Sequence, residues 1–198
     1  MLKNRQVFAA ALGFLGFAIL SGLDDSHAQS NAAPDAVSTL PDRDGAHDFD
    51  FNLGTWKTHI RRLRNPLSGS SDAIEMNGTV TVRKIWNGRA LVEEIEAEGA
   101  AGHLEGMSLF VYSPQAYQWS QTFVSSADGI IRPSMIGDFR SGRGELVSQD
   151  KLNGRAILIR GIWSNIVPNA HHYQEDYSAD GGRSWEPVFV ADLTRANS

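Results

Sequence analysis

The chain is 198 residues long, contains no cysteine and carries a formal net charge of -5. Without cysteine there is no disulfide, no thiolate metal site and no thiol nucleophile. A mildly acidic chain with no basic run is also a poor match for nucleic acid or an anionic membrane surface.

Residues 1–28 read as an export signal. Lys3 and Arg5 supply a positive amino-terminal region, and Val7 to Leu20 is an apolar stretch interrupted only by glycines. Ser26-His27-Ala28 offers small residues at the two positions a signal peptidase reads, which sets the cut after Ala28. The alternative is an uncleaved anchor, but about 14 apolar residues fall short of the roughly 20 that span a bilayer. Cleavage removes two charges of each sign, so the net charge stays at -5. The expected location is therefore the periplasm or the medium, with no membrane attachment after cleavage. Residues 29–46 are rich in Asn, Ala, Pro, Asp and Ser, have no apolar period, and read as a flexible leader. Residues 47–198 form the domain.

The domain opens with Phe49, Phe51 and Leu53 at every second position, read as a short helical turn or an extended lead-in that plugs a barrel end. Strands follow. The first is Trp56 to Leu63 and the second Ile74 to Trp86, with a bulge expected at Asn77-Gly78. Asn87-Gly88 turns the chain into Ala90 to Glu98. Then come Glu105 to Tyr112, Gln118 to Ser125, Ile130 to Phe139, Gly144 to Asp150, Ala156 to Ser164, His171 to Ser178 and Trp185 to Thr194. Gly and Pro turns separate them, and no helix-period segment is long enough to cross over a sheet. Neighbours in sequence must then pair antiparallel. About ten twisted strands joined by short links favour a closed meander over a sandwich, whose Greek-key links are long. The expected fold is all-β, a single up-and-down antiparallel barrel of about ten strands. Since roughly eight strands already hold one small ligand, ten should leave a cavity.

Phe51-Asn52-Leu53-Gly54-Thr55-Trp56 at the first strand and Arg195 at the end of the last resemble the ends of calycin barrels, the lipocalins and their relatives. In that group a Gly-x-Trp opens the barrel and an arginine stacks on the tryptophan to close its base. The domain also resembles the calycin-like family of unknown function labelled DUF1579. The stretches that carry this are Asn87 to Glu94, Gln118-Trp119-Ser120, Asn153-Gly154-Arg155 and Ser178 to Glu186. The resemblance implies a fold and supplies no activity. It makes Trp56 and Arg195 a structural cation–π closure.

Candidate ligand contacts come from aromatic and charged residues placed within strands. Trp119, Trp163 and Tyr173 would suit a small apolar or aromatic molecule. Leu91, Glu93 and Ile95 share one strand face; Val92, Glu94 and Glu96 share the other. Arg160 alternates with the apolar Leu158 and Ile162, and Arg132 lies early in the sixth strand. A buried arginine needs a carboxylate partner such as Glu94 or Glu175, or a ligand's acidic group. The alternative puts that face in water, with its aliphatics in a homodimer contact. His171 shares a face with Tyr173, Glu175 and Tyr177, and would serve as an acid–base group or, if the barrel holds haem, as its ligand. His171 and His172 are adjacent and point apart, so they chelate no metal together; no metal site and no resident cofactor are expected. Three functions stay open: a small-molecule container, an enzyme using His171 or Glu175 for proton transfer with Arg160 stabilising charge, and a barrel filled by its own side chains.

Overall fold

In a computed structural model, described over residues 44–100 and 102–196, ten antiparallel strands close into one barrel. They are β1 (Gly54–Leu63), β2 (Ala73–Ile85), β3 (Ala90–Gly99), β4 (Gly102–Ser113), β5 (Gln118–Ser125), β6 (Met135–Arg140), β7 (Arg143–Leu152), β8 (Arg155–Val167), β9 (Ala170–Ser178) and β10 (Glu186–Arg195). Each pairs with its neighbour in sequence, and β1 pairs with β10 to complete the ring. The expected export signal, residues 1–28, and most of the expected leader lie outside the described residues.

The lead-in is helical. Asp50–Asn52 form a single 3-10 turn, and Phe49 just before it is fully buried inside the barrel. Its ring meets Phe110, Trp119, Phe139 and Trp163 at centroid distances of 4.8, 5.1, 4.8 and 5.0 Å, mostly edge-on. Edge-to-face packing suits the ring quadrupoles and adds roughly 0.5–1.5 kcal/mol per pair to the burial itself. The Trp119 indole also donates to the Gly45 carbonyl at 2.9 Å, which ties the lead-in to β5.

The ends meet as the first and last strands foretold. The Arg195 guanidinium lies 3.9 Å above the Trp56 ring and donates to the carbonyls of Leu53 and Phe51. Gly54 has φ +103°, and a Cβ there would come within 2.8 Å of the arginine. That is the physical reason for glycine two residues before the tryptophan.

Two local expectations change. Asn77-Gly78 is no bulge: β2 runs in unbroken register with β1 and β3. Gly78 is required by closeness, since a Cβ would fall 2.0 Å from the Glu96 carbonyl oxygen. The register breaks instead between Pro187 and Phe189 and between Ser164 and Val167. Finally, β6 begins at Met135, and Ile131 makes only an isolated bridge to Val124. Pro133 lacks the N–H that a longer ladder would need.

Candidate functional site

Period-two alternation sends one side chain in two into the barrel, and the ladder registers identify them. Trp56, Thr58, Ile60 and Arg62 point inward on β1, and their neighbours in the ladder extend the set to Glu93 and Ile95 on β3 and to His171, Tyr173 and Glu175 on β9. The interior has two zones. Next to Phe49, the inward Trp56, Phe110, Trp119, Leu146 and Trp163 are all buried, so this end is solid. Farther along, the inward Glu93, Ile95, Ile159, Tyr173, Glu175, Tyr177 and Phe189 all keep part of their surface accessible, and Arg62 at the far end of β1 is exposed. Their partial accessibility opens this end of the lumen to solvent, in contrast to the plugged end. The barrel is thus a cup with an aromatic floor.

The wall of the cup is acidic. Glu93 accepts a hydrogen bond from the Asn52 amide at 3.0 Å and another from Ser108, its ladder partner on β4. Gln121 on β5 donates to the Ser108 hydroxyl at 3.3 Å. Across the lumen, Tyr173 donates to Glu175 at 3.3 Å, and Tyr177 hydrogen-bonds the same carboxylate. Burial pushes both glutamates above the usual carboxylate range; the hydrogen bonds, and for Glu175 the Arg62 guanidinium, offset it only in part. Burial and the neighbouring carboxylates likewise raise the Tyr173 and Tyr177 phenols. Among the described residues neither glutamate forms a salt bridge.

The expected residues fall into three groups. Tyr173 lines the cup, and so does Glu175, with Trp163 4.8 Å from the Tyr173 ring. Trp119 and Trp163 form the floor and are buried by Phe49. Arg160, Glu94 and Arg132 lie outside the barrel. The Arg160 side chain binds Asp176 at 2.6 Å and stacks 4.2 Å from Trp185, so the expected pairing with Glu94 or Glu175 does not form. Asp176 is its ladder partner on β9, on the outer face. Glu94 is exposed beside Met107 on the outside of β3 and β4, and Arg132 pairs with Asp128 in the loop before β6. The residues that the sequence reading passed over are Glu93, Asn52, Ser108, Gln121 and Arg62.

His171 faces inward, but at the floor. Its ring packs edge-on against Trp56 at 4.4 Å and Phe51 at 5.1 Å. Burial, then the charges of Arg195 and His172, lower its pKa to about 4. A neutral imidazole sealed between aromatic rings is poorly placed for proton transfer, and haem would have to displace Phe51 or Trp56 to reach it. Among the described residues no group of three or more His, Asp or Glu side chains converges on a metal site.

No family model matches the chain, and no curated protein matches its sequence. Solved structures do match in shape. A de novo designed fluorescence-activating β-barrel has 19% identity and a TM-score of 0.41 over 78% of this chain and 99% of its own. A redesigned barrel, mFAP0, bound to DFHBI, has 12% identity and a TM-score of 0.42 over 73% and 99%. The S-type phycobiliprotein lyase CPES from Guillardia theta has 10% identity and a TM-score of 0.52 over 76% and 91%. At such identity the lyase shares the barrel fold and shows nothing of ligand or reaction. Fold and site together define a plugged, ten-stranded up-and-down β-barrel with a cup at the end opposite the plug.

Proposed function

We propose that the protein is a lipocalin-like container, exported through residues 1–28 to the periplasm or medium, which holds one small, largely apolar molecule in the cup. The observation that supports it is the two-zone interior, solid at the plug and accessible beyond it. A barrel filled by its own side chains would leave accessible surface only on the outermost inward residues, whereas Glu93, one inward position from the buried Leu91, is still partly accessible. The cation–π closure of Trp56 and Arg195 behind Gly54 supports kinship with the calycins, and with the DUF1579 group among them. The reading needs no cofactor and no nucleic acid. Aromatic walls at Tyr173 and Phe189 favour a flat ligand body.

Titration with the neutral environment-sensitive dye prodan tests the container. Binding should be saturable at one dye per chain, and Ile95→Trp, whose indole fills the cup, should weaken it at least ten-fold. Equal binding to both proteins would place the dye outside the barrel and overturn the reading. A second reading is favoured by the two carboxyls of raised pKa: proton transfer by Glu175 assisted by Tyr173. Of the three catalytic candidates, Glu175 alone lines the cup; His171 lies in the floor and Arg160 outside. An enzyme would turn over a bound compound, so the mass of a captured ligand would change with time.

A further inference from the structure

We propose that the cup recognises an organic cation, a molecule with a flat apolar body whose ammonium group docks on Glu93 between Asn52 and Gln121. This deepens the container reading and rests on it. The polarity is opposite to the one expected from the sequence, where an arginine held an acidic ligand group.

Hydrogen-bond direction carries the inference. Glu93 can only accept while ionised, so Asn52 gives it an amide N–H and Ser108 gives it a hydroxyl proton. Ser108, its proton committed, then accepts from the Gln121 amide N–H. With Glu93 ionised, the chain Gln121, Ser108, Glu93, Asn52 is consistent in one direction only, and it uses the N–H end of both amides. Asn52 Oδ1 and Gln121 Oε1 are buried with no hydrogen-bond partner among the described residues, on residues only 1% and 6% exposed. Leaving a buried acceptor unpaired costs about 1–3 kcal/mol each. One carbonyl belongs to the amide that donates to Glu93 and the other to the amide that donates to Ser108, so the network as a whole is short of donors.

Charge narrows the choice of donor. A neutral hydroxyl would satisfy one acceptor and leave the Glu93 charge uncompensated in a desolvated wall. An ammonium brings three N–H donors and the missing positive charge together. Arg62 does not take this role: it acts on Glu175 from the rim, and among the described residues no basic group acts on Glu93. The partly accessible Tyr173 ring across the lumen adds an aromatic surface that attracts cations. An anionic ligand would instead meet two carboxylates.

Three compounds of one shape test the idea: tryptamine, neutral 3-propylindole and indole-3-propionate, each titrated into 15N-labelled protein and followed by amide shifts. All binders should move amides of β3 and β9 around Glu93 and Tyr173. Tryptamine should bind at least ten-fold more tightly than the other two. Glu93→Gln should cut tryptamine affinity to that of 3-propylindole. Gln121→Leu should weaken tryptamine several-fold. If the three bind the interior alike, or the propionate binds best, the cation inference is overturned while the container stands. If none shifts interior amides, the container reading falls, and the inference with it. The wild-type comparison decides the matter even where a variant misfolds.

Discussion

Buried ionisable groups give this barrel two opposing pH dependences, each traceable to one side chain. The Glu93 carboxyl is raised above its ordinary 4.5, so the folded state holds that proton more tightly than the unfolded chain does. Its favourable contribution is present at low pH and is lost as pH rises above 4.5 through the folded value. Glu93→Gln should therefore raise Tm at pH 8, and the gain should vanish below about pH 4.5; an unchanged or lowered Tm at pH 8 would show that the carboxylate is not desolvated. His171 has the reverse sign. Its pKa of about 4 lies below the ordinary 6.5, so stability is full above pH 6.5 and declines as pH falls towards 4. The slope is at most about 1.4 kcal/mol per pH unit. Denaturant melts of His171→Gln should lose that slope between pH 6.5 and 4, and a slope equal to wild type would contradict the buried neutral imidazole. These residues also show what local pattern can and cannot tell. Glu93 between Leu91 and Ile95, and Arg160 between Leu158 and Ile162, carry the same signature of one charge on an apolar face. The first face turns inward. The second is outside, where Trp185 stacks on Arg160 and packs with Gly182 near Leu158. Alternation separates two faces without saying which is the lumen, and a covered outer face imitates a core.

At the level of elements, the plug and the closure hold the floor together. Phe49 contributes a fully buried ring to a four-ring cage, so Phe49→Ala should cost about 3–5 kcal/mol in chemical denaturation. A loss below 1 kcal/mol would mean that the lead-in is not part of the core. Gly54→Ala should cost about 1 kcal/mol or more, from positive φ and the approach of Arg195. All ten strands were legible, because Gly and Pro turns mark their ends and nothing offers a crossover. The errors were local and physical. Gly78 read as a bulge because glycine in a strand has two causes, irregular register and close approach, and here the second applies. The sixth strand read too long because its apolar run continues through Ile130 and Ile131, whereas Pro133 interrupts the ladder.

For the whole molecule, the closed ladder and the lead-in divide one lumen into a rigid half and an accessible half. Closure leaves no open sheet edge, so function is confined to the lumen and the outer surface. The cup lies opposite the plug, and the loops around it, Leu63 to Ala73 among them, leave Arg62 exposed at the rim. The barrel could be inferred from the chain, but the contents of its interior could not. Which aromatics become floor and which become wall depends on how far Phe49 penetrates, a tertiary fact with no sequence period. A bound ligand should stabilise the fold by about 2.7 kcal/mol at a hundred times its Kd. Native mass spectrometry of the protein purified from its own source tests the container most directly. The account predicts one reproducible small-molecule adduct per chain, lost from Ile95→Trp. A wild-type protein that carries no adduct, and takes none up from an extract of the same cells, would contradict it.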